Sequence, residues 1–206
     1  PGPNLREVQT TARAFAGICK EGSVVTWGDA DCGGDSMQVA HQLRKVQQIQ
    51  ASRSAFAAIL MDGSVVCWGD PRDGGDCSLV QHQLVKVQQV QSTLSAFAAI
   101  LEDGSVVCWG DPRNGGDNSE VQQHLKDVVS IAATSFAFAA ILADQSVIPW
   151  GSEYLGGRLT SILPRRVVHV AATDSAFAAV RSDGTVTTWG DAGAGGNSYK
   201  VQEQLQ

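Results

Sequence analysis

Short apolar runs separated by turn-forming residues recur along the chain, and this pattern predicts β-strands. The run 55–60 (AFAAIL) is followed by Asp62-Gly63 and then by a second apolar run, 65–68 (VVCW). Asp-Gly between two β-prone runs is a strong hairpin signal, because a type I′ turn needs positive φ at both central residues. The runs are too short for helices and do not alternate strictly, which favours strands that are buried on both faces. A further strand is expected at 46–49, and a shorter fourth strand near the glycine pair that follows.

The same pattern is repeated five times. A Trp-Gly pair recurs at intervals of 41, 41, 41 and 39 residues, and Phe-Ala and Gly-Gly pairs recur in phase with it. Units of roughly 40 residues with four short strands are typical of β-propeller blades. We expect the aromatic markers to form the structural core of the repeats: Trp27, Trp68, Trp109, Trp150, Trp189, Phe15, Phe56, Phe97, Phe138 and Phe177.

These repeats predict an all-β fold, a β-propeller that fills residues 1–206 as a single domain. The blades are expected at 10–50, 51–91, 92–132 and 133–171, with a fifth made of 172–206 plus 1–9. The last unit stops before the strand that begins the other units, and residues 5–9 resemble that strand. We therefore expect the N-terminal strand to join the C-terminal blade and close the ring. The alternative left open is a five-blade part of a larger propeller.

Charge and hydropathy narrow the classes of function. The 15 Lys and Arg residues against 21 Asp and Glu give a net charge of −6. This balance argues against general affinity for nucleic acid or anionic lipid, both of which need a basic surface. No apolar run approaches the ~18 residues of a membrane span. Because the sequence begins at Pro1, we expect a processed or excerpted chain, and an organellar location is favoured over a nuclear or secreted one.

The five cysteines do not suggest a disulfide framework. Their number is odd, and a chain of this length needs no covalent staples. We therefore expect free thiols, with Cys67 and Cys108 inside strands as small hydrophobic residues.

No group of residues forms a catalytic motif, so we predict no enzymatic activity and no cofactor. His41 and His82 occupy equivalent polar positions, which is typical of a surface feature. No histidine stands in a motif with a nucleophile and an orienting carboxylate. Carboxylates cluster after the Trp-Gly pairs, as at Asp29, Asp31 and Asp35. Calcium binding and turn formation are both open for them; the spacing fits no calcium loop, which favours turns.

One complete unit carries the features of a known repeat. It comprises Val87-Gln88-Gln89-Val90, the apolar run 96–101, Asp103-Gly104, the run ending at Trp109-Gly110, and Gly115-Gly116. This unit resembles the repeat of the regulator of chromosome condensation family, in a short, Gln-rich form. The resemblance implies a β-propeller, although the family's usual units are longer and its usual ring has more than five blades.

The resemblance also bears on function. It implies guanine-nucleotide exchange on a small GTPase as one candidate, although the units lack the inserted hairpin with which the family's prototype engages its GTPase. Our main prediction is a non-enzymatic protein–protein interaction module, a scaffold or accessory subunit of a larger complex, because propellers present many loops on rigid blades. Inhibition of a secreted enzyme is a third candidate. The expected partner is another protein, with no nucleic acid and no direct membrane insertion, although the partner complex can itself be membrane-bound.

The fourth unit departs most from the others and is the candidate contact region. Asp144-Gln145 replaces Asp-Gly, so Gln145 must accept a left-handed backbone at a cost of about 1 kcal/mol. Pro149 cannot donate a ladder hydrogen bond, which predicts an edge strand or a bulge there. Tyr and Arg are enriched at interfaces. The candidate partner contacts are Tyr154, Arg158, Arg165 and Arg166, and the alternative is neutral divergence of one repeat.

Overall fold

The computed structural model describes residues 4–158 and 165–205. In these residues, fifteen strands form five antiparallel sheets of three strands, one sheet for each repeat. The predicted all-β architecture of five blades is confirmed. The strands are β1 (Leu5–Thr10), β2 (Ala14–Cys19), β3 (Val24–Gly28), β4 (Val46–Ala51), β5 (Ala55–Leu60), β6 (Val65–Gly69), β7 (Val87–Ser92), β8 (Ala96–Leu101), β9 (Val106–Gly110), β10 (Val128–Ala133), β11 (Ala137–Leu142), β12 (Val147–Gly151), β13 (Val167–Ala172), β14 (Ala176–Arg181) and β15 (Val186–Gly190).

The predicted hairpins form, with a different turn. At Asp62-Gly63, only the glycine has positive φ (79°), and the Gly63 N–H donates to the carbonyl of Leu60. This is a type I turn followed by a left-handed glycine, which makes a three-residue hairpin loop with a bulge. Type I′ geometry was therefore wrong, because the aspartate keeps negative φ. Its Oδ1 instead accepts hydrogen bonds from both the N–H and the hydroxyl of Ser64.

Turns take the place of the expected fourth strand. After β6, the chain forms a 3₁₀ turn, Pro71–Asp73, in which the Asp70 side chain accepts from the Arg72 N–H. Gly74 then turns the chain with a φ of 92°. The described residues of every repeat carry a 3₁₀ turn at this place, and each turn ends at a left-handed glycine that reverses the chain before a strand can extend. Further 3₁₀ turns cover Gln122–His124 and Tyr199–Gln204.

The N-terminal strand belongs to the first sheet. β1 pairs with β2, with Val8 opposite Gly17, in the way that β4 pairs with β5. The expectation that residues 5–9 would complete the last blade is therefore wrong. The physical reason is locality: β1 is separated from β2 by a three-residue turn, so this pairing closes a short loop at little entropic cost.

The five sheets are arranged around one axis. The turns between the first and second strands of each repeat line a central opening. Backbone hydrogen bonds of 2.9–3.0 Å join neighbouring turns, and each N–H donates to a carbonyl of the following repeat. These bonds run from Ala12 to Arg53, from Arg53 to Leu94, from Leu94 to Ser135, and from Ser135 to Asp174.

A stacked pair of aromatic rings lies on one face of each repeat, and in the second to fifth repeats it packs against the preceding repeat. The phenylalanine of the second strand pairs directly with the tryptophan of the third, as Phe97 does with Trp109. All five such ring pairs stack with centroids 5.1–5.2 Å apart. Alanines beside these rings, such as Ala98 and Ala99, are fully buried and let adjacent sheets approach closely. Among the described residues, no helix is long and apolar enough to cross a bilayer.

Candidate interaction surface

Each sheet has two ends, and surface loops gather at both. The axial-turn end carries the turns between first and second strands together with the 3₁₀ turn after the third strand. The hairpin end carries the hairpins between second and third strands and the start of each first strand. The antiparallel order fixes this division, because the end of a third strand and the start of the next first strand lie at opposite ends of the sheets.

Tyr154 and Arg158 lie at the axial-turn end of the fourth repeat. Tyr154 is the middle residue of the 3₁₀ turn Glu153–Leu155, and 83% of its surface is exposed. The hydroxyl of Thr134 holds this turn by donating to the carbonyl of Leu155. The guanidinium of Arg158 pairs with the carboxylate of Glu153, the residue that precedes Tyr154 in the turn.

Arg165 and Arg166 lie at the hairpin end. Both are exposed. The carbonyl of Arg166 accepts from the Ser182 N–H at 2.8 Å, which anchors this residue beside the last hairpin. Hydrogen bonds from Ser146 hold the pKa of Asp144 below its ordinary value, and the nearby charge of Arg165 adds to the effect.

The structure thus divides the four predicted contact residues into two pairs. A six-residue strand separates the two ends of a sheet, a length of about 17–20 Å. Tyr154 and Arg158 can contact one surface of a partner together, and Arg165 and Arg166 can contact another. The intervening residues 159–164 lie outside the described part of the chain.

Gln145 and Pro149 have the local structure that the sequence predicts. Gln145 takes φ of 66° at the place where the sibling hairpins have Gly63 and Gly104. The expected left-handed backbone is therefore confirmed. Pro149 lies opposite Ala139 in β12, which is an outer strand of its sheet, so the missing N–H interrupts no central ladder.

The carboxylates after the Trp-Gly pairs are engaged in turns. Asp29, Asp70, Asp111 and Asp191 each accept a hydrogen bond from the backbone N–H two residues further on, at 2.8–3.0 Å. In the fourth repeat, Ser152 replaces this aspartate and its side chain makes no such capping bond. Across the ranges 4–158 and 165–205, no group of three or more His, Cys, Asp or Glu residues is placed to hold a metal ion.

Sequence reasoning missed an acidic cleft between the first two repeats. It lies at the axial-turn end, and Asp31, Asp35, Asp70 and Asp76 are among its lining residues. The sequence signal was the recurrence of Asp35 as Asp76, one repeat later. These two carboxylates also cap turns, at Met37 and Ser78 respectively.

Cys67 and Cys77 form a disulfide. The expectation of free thiols was therefore wrong for this pair. The bond joins β6 to the loop that follows it, and equivalent positions in other repeats carry hydrogen-bonded hydroxyls: Thr26 with Ser36 at 3.0 Å, and Thr188 with Ser198 at 3.1 Å. The sequence signal that could have predicted the disulfide was this ten-residue spacing, which separates Cys67 from Cys77 as it separates the two hydroxyl residues in the other repeats. In the third repeat, the corresponding Cys108 is a free thiol whose pKa is raised by burial, so it is a poor nucleophile.

Reduction of this disulfide is expected to destabilise the chain moderately. In the loop-entropy description, opening a loop of this length costs about 3 kcal/mol. The double variant Cys67→Thr, Cys77→Ser should lose less stability, because the hydroxyl pair of the first repeat shows that a hydrogen bond fits there. Urea unfolding with and without dithiothreitol measures both effects. If the double variant had a lower urea midpoint than the reduced natural chain, a hydrogen-bonded hydroxyl pair could not replace the cysteine pair at this place.

Five three-stranded sheets around one axis, joined by repeated Phe-Trp stacks, define a β-propeller. The fold is similar to solved structures of RCC1-like propellers. Human WBSCR16 is 16% identical, with a TM-score of 0.62 over 90% of this chain and 61% of that one. Yeast RCC1 (Prp20), bound to Kap60, is 19% identical, with a TM-score of 0.60 over 90% of this chain and 56% of that one.

A plant receptor domain has a similar fold. The CRINKLY WD40 ectodomain of the Arabidopsis thaliana receptor kinase ACR4 is 18% identical, with a TM-score of 0.56 over 92% of this chain and 66% of that one. The chain thus spans less than two thirds of each of these structures. The sequence matches no protein-family model and no curated protein sequence. At these identities, the likeness establishes the fold alone.

Proposed function

We propose that the chain is a non-enzymatic protein–protein interaction module, a scaffold or accessory subunit of a larger complex. The observation that carries this proposal is the exposed ring of Tyr154 on a turn held by Thr134. The equivalent turns of the sibling repeats place Asp31, Arg72, Arg113 and Gly193 at this position. Tyrosine and arginine are both enriched at interface hot spots, and tyrosine gives a large contact area with only two side-chain torsions to fix.

The second candidate is nucleotide exchange on a small GTPase. The fold likeness to Prp20p supports it, since a crystal structure of that protein was reported together with its binding properties to Gsp1p and histones. Prp20p is 18% identical to this chain, so its partners are not transferable by the fold alone. The interaction module remains the main proposal because it requires only the exposed, rigid turns that the chain has.

The test is affinity capture with the natural chain and with variants of each pair. We expect a stoichiometric protein partner whose binding weakens at least ~30-fold with Tyr154→Ala plus Arg158→Glu, which corresponds to a hot spot of about 2 kcal/mol. Arg165→Glu plus Arg166→Glu tests the hairpin end separately. The matched control is Arg72→Ala, which truncates the equivalent exposed position of the second repeat. Retained binding in all variants would remove the fourth repeat as the contact.

Release of a fluorescent nucleotide from a panel of small GTPases distinguishes the second candidate. Faster release with the natural chain would replace the scaffold proposal by exchange activity. An unchanged release rate across the panel is the expected result.

A further inference from the structure

At the hairpin end, the junctions between neighbouring repeats use the same backbone contacts. In the second to fifth repeats, the first residue of the first strand donates its N–H to a carbonyl of the preceding hairpin at 2.8–2.9 Å, as Val46 does to Gly22. The residue before that strand takes a left-handed backbone, with φ of 53° at Lys45 and 54° at Lys86. These two lysines therefore occupy equivalent places, and their surroundings can be compared directly.

The junction between the second and third repeats holds a carboxylate beside its lysine. The backbone N–H of Glu102 donates to the Lys86 carbonyl at 3.0 Å. The Glu102 carboxylate in turn accepts a hydrogen bond from Lys86 Nζ at 2.7 Å. A carboxylate thus fits beside a lysine at this position. One exposed ion pair contributes at most about 1 kcal/mol, so a carboxylate from another molecule needs more than one cation.

The junction between the first and second repeats lacks that carboxylate. Met61 takes the place of Glu102, since its backbone N–H donates to the Lys45 carbonyl at 3.0 Å in the same way. The Met61 side chain is 74% exposed, and Lys45 is exposed as well. Within the described part of the chain, Lys45 takes part in no ion pair. The position beside this lysine is therefore accessible to a carboxylate from outside.

Further cations gather around this position. Arg6 and Lys20 line a groove of about 450 Å³ together with Lys45, a size in the range of ligand-binding pockets. A second groove shares Lys45 and Met61 with the first and is lined by Arg44. The Arg6 guanidinium is held across the junction, because it donates to two backbone carbonyls at the start of β4, at 2.8 and 2.7 Å. We call the surface formed by these five residues the basic groove.

Two carboxylates lie at the same surface, and each is bound within its own hairpin. Glu21 accepts from the Ser23 hydroxyl at 2.7 Å, and Asp62 accepts from the Ser64 hydroxyl at 2.6 Å. Set against four cations, they leave a local net charge of +2. The acidic cleft lies at the other end of the sheets, about 17–20 Å away, which is roughly twice the ~8 Å screening length in physiological salt. The basic groove therefore attracts anions although the whole chain has a net charge of −6.

We propose that the basic groove binds an acidic segment of a partner protein, with one carboxylate of that segment beside Lys45. This carboxylate takes the place that Glu102 occupies in the next junction, and the neighbouring cations hold further carboxylates. Met61 offers an adaptable apolar contact to an apolar side chain of the same segment, which favours a peptide over a nucleic-acid backbone. The proposal does not rest on the contact at the axial-turn end, because the basic groove lies at the hairpin end.

The test is fluorescence anisotropy of a labelled pentapeptide with four glutamates around one leucine, titrated with the natural chain. The matched peptide carries glutamine in place of every glutamate. We expect saturable binding of the acidic peptide and at least ~10-fold weaker binding of the glutamine peptide, because the latter loses its charge-assisted hydrogen bonds. Raising the salt from about 50 to about 300 mM should weaken binding of the acidic peptide, since exposed charges are screened.

Met61→Glu is the decisive variant, because it supplies the carboxylate that Glu102 supplies in the next junction. It should weaken binding at least ~10-fold, whereas the uncharged Met61→Gln should weaken it less than ~3-fold. Lys45→Gln should also weaken binding at least ~10-fold. The matched control is Lys126→Gln, which removes an exposed cation of the hairpin end outside the basic groove and should leave the affinity unchanged.

Five results would overturn the proposal. The first two are no binding of the acidic peptide and equal binding of both peptides, which would show that carboxylates are not recognised. Unchanged binding by Met61→Glu would place the contact elsewhere. Equal losses in Lys45→Gln and Lys126→Gln would indicate a response to overall charge. Tighter binding of a five-nucleotide thymidine oligonucleotide, which carries as many negative charges as the peptide, would assign the basic groove to nucleic acid. Circular dichroism checks that each variant is folded.

Discussion

Replacing Trp109 by alanine is expected to lower the free energy of unfolding by about 3–5 kcal/mol, the range for truncating a buried large aromatic residue. Trp109 is 4% exposed, stacks on Phe97 and donates to the Gly74 carbonyl. The substitution opens a cavity at a junction and leaves that carbonyl without its partner. Urea unfolding followed by circular dichroism measures the loss.

Trp27→Ala is the matched control for this prediction. It removes the same side chain from the equivalent position and the same kind of ring stack. Because Trp27 is largely exposed and bonds no glycine in the described residues, we expect a loss of only about 1–2 kcal/mol. If both variants lost the same free energy of unfolding, the contacts of Trp109 with the preceding repeat would contribute no stability beyond the ring stack.

Gly115→Ala is expected to cost about 2–5 kcal/mol. Gly115 has a φ of 96°, and a β-carbon there would lie 2.5 Å from Cδ2 of Phe138 in the next repeat. Left-handed strain accounts for about 1–2 kcal/mol of the loss, and forcing the junction apart adds about 1–3 kcal/mol. The loss of unfolding free energy is again obtained from the midpoint and slope of the urea unfolding transition.

Gly195→Ala separates these two contributions. Gly195 has a similar φ of 104°, but a β-carbon added there meets nothing within 4 Å. Only the backbone strain should appear, so this variant is expected to lose about 1–2 kcal/mol. If Gly195→Ala lost as much free energy of unfolding as Gly115→Ala, the clash with Phe138 in the next repeat could not be the cause of the Gly115→Ala effect.

Much of the fold can be predicted from the sequence, because the residues of each repeat indicate which strands pair within that repeat. The in-phase positions of Phe97, Trp109 and Gly115 predict strands and a turn in one unit, and recurrence predicts the remaining units. The left-handed backbone at Gln145 follows from the glycines that occupy this position in sibling repeats. Such inferences succeed because the residues concerned interact within one hairpin.

Contacts between units were harder to predict. Residues 5–9 resemble the first strand of any repeat, so the resemblance could not decide which sheet they join; chain proximity to β2 decides it. Cysteine counting likewise could not show that β6 and the following loop bring Cys67 to Cys77. The candidate contact residues are close in sequence, but the antiparallel topology sends Arg158 and Arg166 to opposite ends of the sheets.

The uniform junctions give the chain the energetics of a linear array. Its stability is approximately a sum of terms for single repeats and terms for adjacent pairs, as in other repeat proteins. A repeat in the middle has two coupling terms, whereas the first and last have one each. The free energy of local unfolding is therefore lowest for the first and last repeats and highest for the repeats around Trp109. Unfolding of this chain should start at its terminal repeats and proceed towards the middle.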